Sequence, residues 1–315
     1  METLSIDIET YSSISLQKSG VYKYCESDDF EVLLFAYSAD GAPVKVVDLA
    51  AGERLPDDVL QALTDPAVMK WAFNAQFERI CLSRFLGYPT GTYLDPTSWR
   101  CTMIWAAILG LPLSLEGVGE VLGLEKQKLK EGKEWIRYFC TPAKDKGGNS
   151  YRHLPSAAPE KWNLFKAYNL RDVETEMGIQ KRLSGFPVSQ AEWNNYVLDQ
   201  RINDRGVLLD AMFVDRAIRC DDEYRLKHLN RAKALTGLDN PNSPAQLKTW
   251  LSGQGVETDT LSKAAVSGLL EETDGDTYIA LSLRQELAKS SVKKYTAMQS
   301  VMGNDSRARG LIQFY

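Results

Sequence analysis

The sequence predicts a mixed α/β sheet domain followed by a mostly α-helical region. Three observations carry this. Strand-like runs crowd residues 1–73, the first with strict period-two alternation. Helix-period segments are interleaved with those runs and continue alone to about Leu183. After Gly185-Phe186-Pro187 nearly every segment reads as helix. Strands first and crossover helices after describe a sheet covered by helices. The division is placed at 186, giving a first domain over 1–185 and a helical region over 186–315.

The elements follow in order. LSIDIE (4–9) is a strand. FEVLLFAYS (30–38) and PVKVVDL (43–49) are two more, joined across Asp40-Gly41, a strong hairpin signal. PDDVLQAL (56–63) is a short helix with acids in its first turn, and AVMKWAF (67–73) is a fourth strand. NAQFERICLSRFLG (74–87) runs helically to a glycine stop. Helical signals cover 97–109 and 115–123, and a Pro-, Gly-, Ser- and Lys-rich loop is expected over 141–159. A helix resumes near Glu160 and ends about Leu183. In the second region, 211–237 is a long amphipathic helix ending at Gly237. Ser243-Pro244 is an N-cap followed by proline at the first helical position, and 276–301 is read as one further helix.

Composition narrows the function classes. The 315 residues are 44% hydrophobic and 25% charged, ordinary for a globular protein. The formal charge of -5 excludes a bulk basic coat for nucleic acid, so such contacts must come from local patches. Only His153 and His228 exist, which nearly excludes sites built on several histidines. The five cysteines have no CxxC spacing, against a zinc knuckle or disulfide framework; they read as buried reduced thiols. The longest apolar stretch, 103–113, is too short to span a bilayer and contains Pro112. A cytoplasmic setting without membrane contact is expected. Two basic clusters stand out. One holds Lys126, Lys128, Lys130, Lys133, Arg137, Lys144 and Lys146; the other holds Arg284, Lys289, Lys293, Lys294, Arg307 and Arg309. Either alone reads as a solvated helix face. With Trp135, Tyr138, Tyr151 and Tyr295 interleaved, a nucleic-acid track becomes credible.

The chemistry resides in acids. Asp7 and Glu9 are two apart on a strand and share a face, while Ile6 and Ile8 take the other. A lone Asp-x-Glu is most often a solvated strand face. Asn74-Ala75-Gln76-Phe77-Glu78 puts an acid in the first turn of a helix, where a helix-dipole role is common. Tyr168 and Asp172 are i,i+4 on a later helix and share a face. Each signal is weak alone. Together, carboxylates from a strand, a loop-to-helix junction and a helix would repel one another without cations. All-oxygen ligands suit Mg²⁺ or Mn²⁺, and two such ions can clamp an in-line displacement at a phosphodiester.

These motifs, Asp7-Ile8-Glu9-Thr10, Asn74 to Glu78 and Tyr168 to Asp172, resemble those of the DEDDy 3′-5′ exonucleases. These have an RNase H-like (DnaQ-like) fold and form the proofreading domain of family A (DNA polymerase I-like) enzymes. The second motif of that family usually ends in Asp; here it ends in Glu78, whose longer carboxylate still reaches a cation directly or through water. INDRGVLLD (202–210), NPNSPAQLKTWL (240–251), LRQELAKSSVKKY (283–295) and RGLIQFY (309–315) resemble the thumb-like helices of phage-type members. The resemblance thus covers nearly the whole chain but only the front half of such a polymerase. The family's polymerase aspartates follow a segment like RGLIQFY and map to no residue here. Nucleotide polymerisation is therefore not expected of these residues, and a palm and fingers encoded separately or removed would be a partner.

The resemblance implies roles. Asp7 would bridge two divalent cations, Glu9 and Asp172 would complete the site of the nucleophilic water, and Glu78 would help hold the second cation. Tyr168 would orient that water. Thr10, Asn74, Gln76 and Phe77 are candidate substrate contacts, with helix-start amides the equal reading of Asn74 and Gln76. The implied activity is 3′-5′ hydrolysis of single-stranded or frayed DNA 3′ ends, releasing 5′-nucleotides, with primer-template duplex as the other partner. Two alternatives stand beside it. One is a catalytically weak DNA scaffold for a polymerase half. The other is an RNA 3′ exonuclease of ribonuclease D type.

Overall fold

The computed structural model describes residues 1–124, 132–289 and 291–314. Lys126, Lys128 and Lys130 of the first basic cluster lie outside the described residues, as do Ser290 and Tyr315 of the resembling segments. Two compact units are formed, Met1–Leu208 with Val301–Tyr315, and Leu209–Ser300.

In the first unit the elements run β1 (Thr3–Tyr11), α1 (Leu16–Tyr24), β2 (Glu31–Ala39), β3 (Lys45–Asp48), α2 (Asp57–Thr64), β4 (Met69–Ala72) and α3 (Ala75–Phe85). There follow β5 (Trp99–Cys101), α4 (Thr102–Ile108), α5 (Leu115–Val121), α6 (Gly132–Phe139), β6 (Ala143–Lys144) and β7 (Ser150–Tyr151). The long α7 (Pro159–Leu183), α8 (Gln190–Arg205), β8 (Val207–Leu208) and, much later, β9 (Arg307–Ala308) complete it. Five strands make one sheet in the order β3-β2-β1-β4-β5. β1 is parallel to β4 and β4 to β5, while β2 is antiparallel to both β1 and β3. The expected turn at Asp40-Gly41 joins β2 to β3, with both residues at positive φ. Asp40 Oδ1 also accepts from the backbone N–H groups of Glu2 and Thr3, tying the start of β1 to that turn.

Alternation along β1 sorts the two faces. Leu4, Ile6 and Ile8 enter a core with Tyr22 and Tyr24 of α1, Val59 and Leu63 of α2, and Ile80 and Leu82 of α3. Leu33 and Leu34 of β2 pack with Trp135 and Phe139 of α6 and with Trp162, Phe165 and Tyr168 of α7. Asp7 and Glu9 thus emerge from the sheet toward α7. α7 is long because its ends agree with its interior: Pro159 opens it, Glu160 lies in the first turn, and Lys181 and Arg182 lie in the last.

Several expectations are corrected. The helical signal over 97–109 conceals β5, a three-residue strand fully buried beside β4. The loop expected over 141–159 contains the β6–β7 hairpin. The boundary at 186 falls inside the first unit. Trp193 and Tyr196 of α8 join the main core, and Arg79 of α3 makes a bidentate pair with Asp204 at 2.7 and 2.9 Å. The two segments 202–210 and 309–315 also meet there. Val207 pairs with Ala308, and the Asn203 side chain both donates to and accepts from the Ile312 backbone. Of the cysteines, Cys220 is exposed and the other four are buried.

The second unit consists of α9 (Ala211–Thr236), α10 (Pro244–Gly253), α11 (Lys263–Glu272), α12 (Gly275–Leu287) and most of α13 (Lys293–Val301). Its core is Leu247, Leu251, Val266 and Leu281. Ser243 caps α10 as expected, accepting from Gln246 N–H, and Ser262 caps α11 in the same way. The helix expected over 276–301 is two. The guanidinium of Arg225 donates to the carbonyls of Leu287 and Lys289, taking up the groups that a continuing helix would use. Among the described residues no helix is long and apolar enough to cross a membrane.

Candidate active site

Asp7, Glu9, Thr10, Asn74, Phe77, Glu78, Tyr168 and Asp172, eight of the nine residues singled out by sequence, line one cavity of about 650 Å³. The exception is Gln76. It is absent from this wall, and its amide donates to the Tyr22 hydroxyl at 3.4 Å. Asn74 does line the cavity but does not cap α3. Its backbone is left-handed at φ 76°, and its side chain makes no capping bond. That conformation is uncommon outside glycine, and Asn tolerates it better than most residues. It turns β4 sharply into α3, and the turn sets Glu78 one helical turn into the cavity wall.

Each carboxylate has its own support. β1 carries Asp7 and Glu9 on the cavity side, and its register against β2 shifts between Glu9 and Thr10, from the Leu34 pair to the Val32 pair. Bulges of this kind re-aim side chains beside functional sites. Asn169 of α7 donates to Asp7 Oδ2 at 2.6 Å and to the Asp7 carbonyl at 3.2 Å, fixing the acid from the opposite layer. The Cys140 thiol lies 3.9 Å from Glu9 Oε2. Thr10 Oγ1 is bonded to the Tyr24 hydroxyl at 2.8 Å, so its side chain is held in the wall. Beneath the site Glu176 is buried, receiving the Thr102 hydroxyl and the Gln180 amide. Burial lifts its carboxyl to about 7 against those bonds. Sequence reading missed Asn169, Cys140 and Glu176. Asn169 lies inside the third motif, but its bond to Asp7 spans 162 residues and leaves no local trace.

The electrostatics are those of crowded acids. Glu78 is 3% exposed, and its carboxyl is held well above the usual range, first by burial and then by the negative charges of Asp7 and Glu9. The Tyr168 hydroxyl is likewise pushed up by burial, then by the charges of Asp172, Glu9 and Asp7. Glu78 Oε2 is buried without a hydrogen-bond partner among the described residues. A hard dication satisfies such an oxygen, and the all-oxygen donor set suits Mg²⁺ or Mn²⁺. The tight ligand group implied by the sequence is not closed, however. Among the described residues no three acidic, cysteine or histidine side chains are drawn together as ligands. The donor chemistry fits the ions, and the side chains stand apart.

The departure at Glu78 yields a direct expectation. If its carboxylate is a ligand, Glu78→Asp keeps substantial 3′-end cleavage and Glu78→Ala loses most of it, on the order of 10²-fold. Equal rates for all three proteins in a labelled-oligonucleotide assay would make Glu78 a helix-dipole acid only.

No family model matches the chain. It is 50% identical, over 318 aligned residues and its full length, to a DNA polymerase of Bacillus phage SP02, and it spans 48% of that protein. The polymerase domain of Pol1 from M. smegmatis, solved with DNA primer-template and dNTP, matches 97% of this chain and 47% of its own length. Its TM-score is 0.52 at 13% identity, a likeness of fold. The whole of the sequence, motifs and helical region alike, is therefore related to one part of a phage DNA polymerase.

Proposed function

We propose that the chain is a divalent-cation-dependent 3′-5′ exodeoxyribonuclease, the proofreading part of a family A polymerase. It would release 5′-nucleotides from single-stranded or frayed 3′ ends. The observation that carries this reading is the convergence of Asp7, Glu9, Glu78, Tyr168 and Asp172 on one cavity from β1, α3 and α7. The strand order β3-β2-β1-β4-β5 with only β2 reversed supports an RNase H-like assignment. Within the first unit residues 1–185 would form the exonuclease domain, and the helical unit Leu209–Ser300 would be the thumb-like region that grips primer-template duplex.

Asp7, Glu9, Glu78 and Asp172 would hold the two cations. When bound, such ions lower the pKa of coordinated water and neutralise charge on the phosphodiester. The chain's own groups do the positioning. Asn169 holds the Asp7 carboxylate. The Tyr168 hydroxyl, one turn before Asp172 on α7, would orient the attacking water together with Glu9. Phe77 and Thr10 form wall against the terminal nucleotide. Only an unpaired end enters so recessed a site, and a mismatched end frays at lower cost, which is the physical basis of proofreading.

A labelled single-strand degradation assay tests this, with DNA and RNA side by side. Mg²⁺ or Mn²⁺ should support stepwise 3′ shortening of DNA, and Ca²⁺ should support binding more than cleavage. Full activity in excess chelator would overturn the reading. Preference for RNA would favour the ribonuclease D type. The tyrosine has its own test. Tyr168→Phe keeps the ring and removes the hydroxyl, so cleavage should fall about tenfold or more with little change in melting temperature. Unchanged cleavage would reduce Tyr168 to a core aromatic.

A further inference from the structure

The first basic cluster with its interleaved aromatics is not used by the site chemistry, and the structure gives its described part a definite form. Cys140, Thr141 and Pro142 line the acidic cavity, and the next residue opens the β6–β7 hairpin. Ala143 pairs with Tyr151 and Lys144 with Ser150. Asp145 fixes the turn by accepting from the Asn149 N–H at 2.8 Å and its amide at 3.0 Å. The turn's acid is therefore occupied within the turn, while Lys144 and Lys146 are exposed.

Beside the hairpin stands a ladder of rings. His153 stacks on Tyr138 of α6 at 3.8 Å between centroids and 12° between planes. Tyr151 meets His153 edge-on at 5.0 Å, and Lys161 Nζ lies 4.6 Å from the Tyr138 ring centre. Tyr151 is 46% exposed, unlike the rings of the core beneath. Arg152 is engaged elsewhere, with Glu31 at 2.6 Å and over the Tyr11 ring. Among the described residues of α6, the hairpin and the start of α7, Lys133, Arg137, Lys144, Lys146 and Lys161 are exposed cations, Lys133 paired with Glu116, against the exposed acids Glu134, Asp145 and Glu160.

We propose that this surface, hairpin β6–β7 with Tyr138, Tyr151 and His153, is a binding site for single-stranded DNA that feeds the strand into the cavity. Bases stack on the exposed ring of Tyr151, and Lys144, Lys146 and Lys161 take phosphates. The physical need is plain. A cavity walled by four carboxylates repels a polyanion, so attraction must come from its rim. Aromatic rings between lysines accept any base by its π-face, and the lysines follow the backbone. Lysines without rings would hold duplex equally well; the rings select unpaired bases. The feeding role rests on the exonuclease reading; the binding site itself does not.

Binding is measured on the full 315-residue chain carrying Asp7→Ala, in Ca²⁺, by anisotropy of a fluorescein-labelled oligo(dT) over a series of salt concentrations. Tyr151→Ala should weaken binding about tenfold. Tyr151→Trp should retain it, and the salt slope should not change. Lys144→Gln with Lys146→Gln should lower the slope of log affinity against log salt by about 1 to 2. Circular dichroism melting of each variant separates a lost contact from a lost fold. Parent affinity and slope in both variants would overturn the proposal, as would equal binding of blunt duplex. The exonuclease reading is judged apart, by cleavage of the same oligonucleotide by the chain with Asp7 intact in Mg²⁺. Failure of either leaves the other readable.

Discussion

Asp7→Ala should abolish 3′-end cleavage, by about 10³-fold or more, while leaving the protein folded and able to bind single strands. The size follows from its place. Asp7 lines the cavity, and its charge is the second cause, after burial, that raises the Glu78 carboxyl. On the proposed function its loss would remove one of the carboxylates that would hold the cations, and losing one fixed electrostatic group at a reacting centre already costs roughly 10² to 10³ in rate. Stability should move the other way. Asn169 Nδ2 loses its bond to Asp7 Oδ2 but keeps the Asp7 carbonyl within 3.2 Å. Repulsion on Glu78 is relieved at the same time. The melting temperature should therefore stay within a few degrees of the parent's or rise. Near-parental cleavage by the purified variant would place the active site elsewhere. Loss of cleavage together with a collapsed melting temperature would make Asp7 structural.

How much of this was legible in the sequence depends on whether the signal is local. The two-residue period of β1 separated Ile6 and Ile8 from Asp7 and Glu9, and both faces are occupied as that period requires. Ser243 announced the start of α10, because a cap bonds within three residues of itself. What failed was non-local. β5 is three residues long and exists only because β4 offers it an edge; its own sequence runs straight into the helical pattern of α4. α8 looks by composition like the helices after it, yet the pair between buried Arg79 and half-buried Asp204 and the core residues Trp193 and Tyr196 hold it to the sheet unit. Gln76 sat in the right motif but on the wrong side of its helix, toward Tyr22. The motifs named four acids that line one cavity. They did not give the groups beside those acids, because Asn169 meets Asp7 and Cys140 meets Glu9 across the fold rather than along the chain.

Gly132→Ala should cost more activity than removal of the tyrosine hydroxyl itself. Nothing in the sequence distinguishes Gly132 from any other glycine. In the structure it opens α6 directly against the Tyr168 ring. A Cβ at this position would lie 1.8 Å from Tyr168 Cε2, 2.3 Å from Cδ2 and 2.5 Å from Cζ. The ring has no room to retreat. It is fully buried, with Trp135 edge-on at 6.3 Å and Phe165 stacked at 6.0 Å between centroids. Either α6 lifts or the ring shifts, and forcing one methyl into a packed core costs about 1–3 kcal/mol. A shift of about 1 Å in a catalytic group is enough for a roughly 10²-fold loss. Cleavage by Gly132→Ala should therefore fall about 10²-fold, below the level of Tyr168→Phe, with a lowered melting temperature. The cause is separable by a double-mutant cycle, since residues in contact fail to add. In a Tyr168→Ala background there is no ring to strike, so adding Gly132→Ala should change neither the residual cleavage nor the melting temperature by much. Full additivity of the two losses would show that Gly132 acts on something other than Tyr168, and parental behaviour of Gly132→Ala alone would show that α6 yields without disturbing the site.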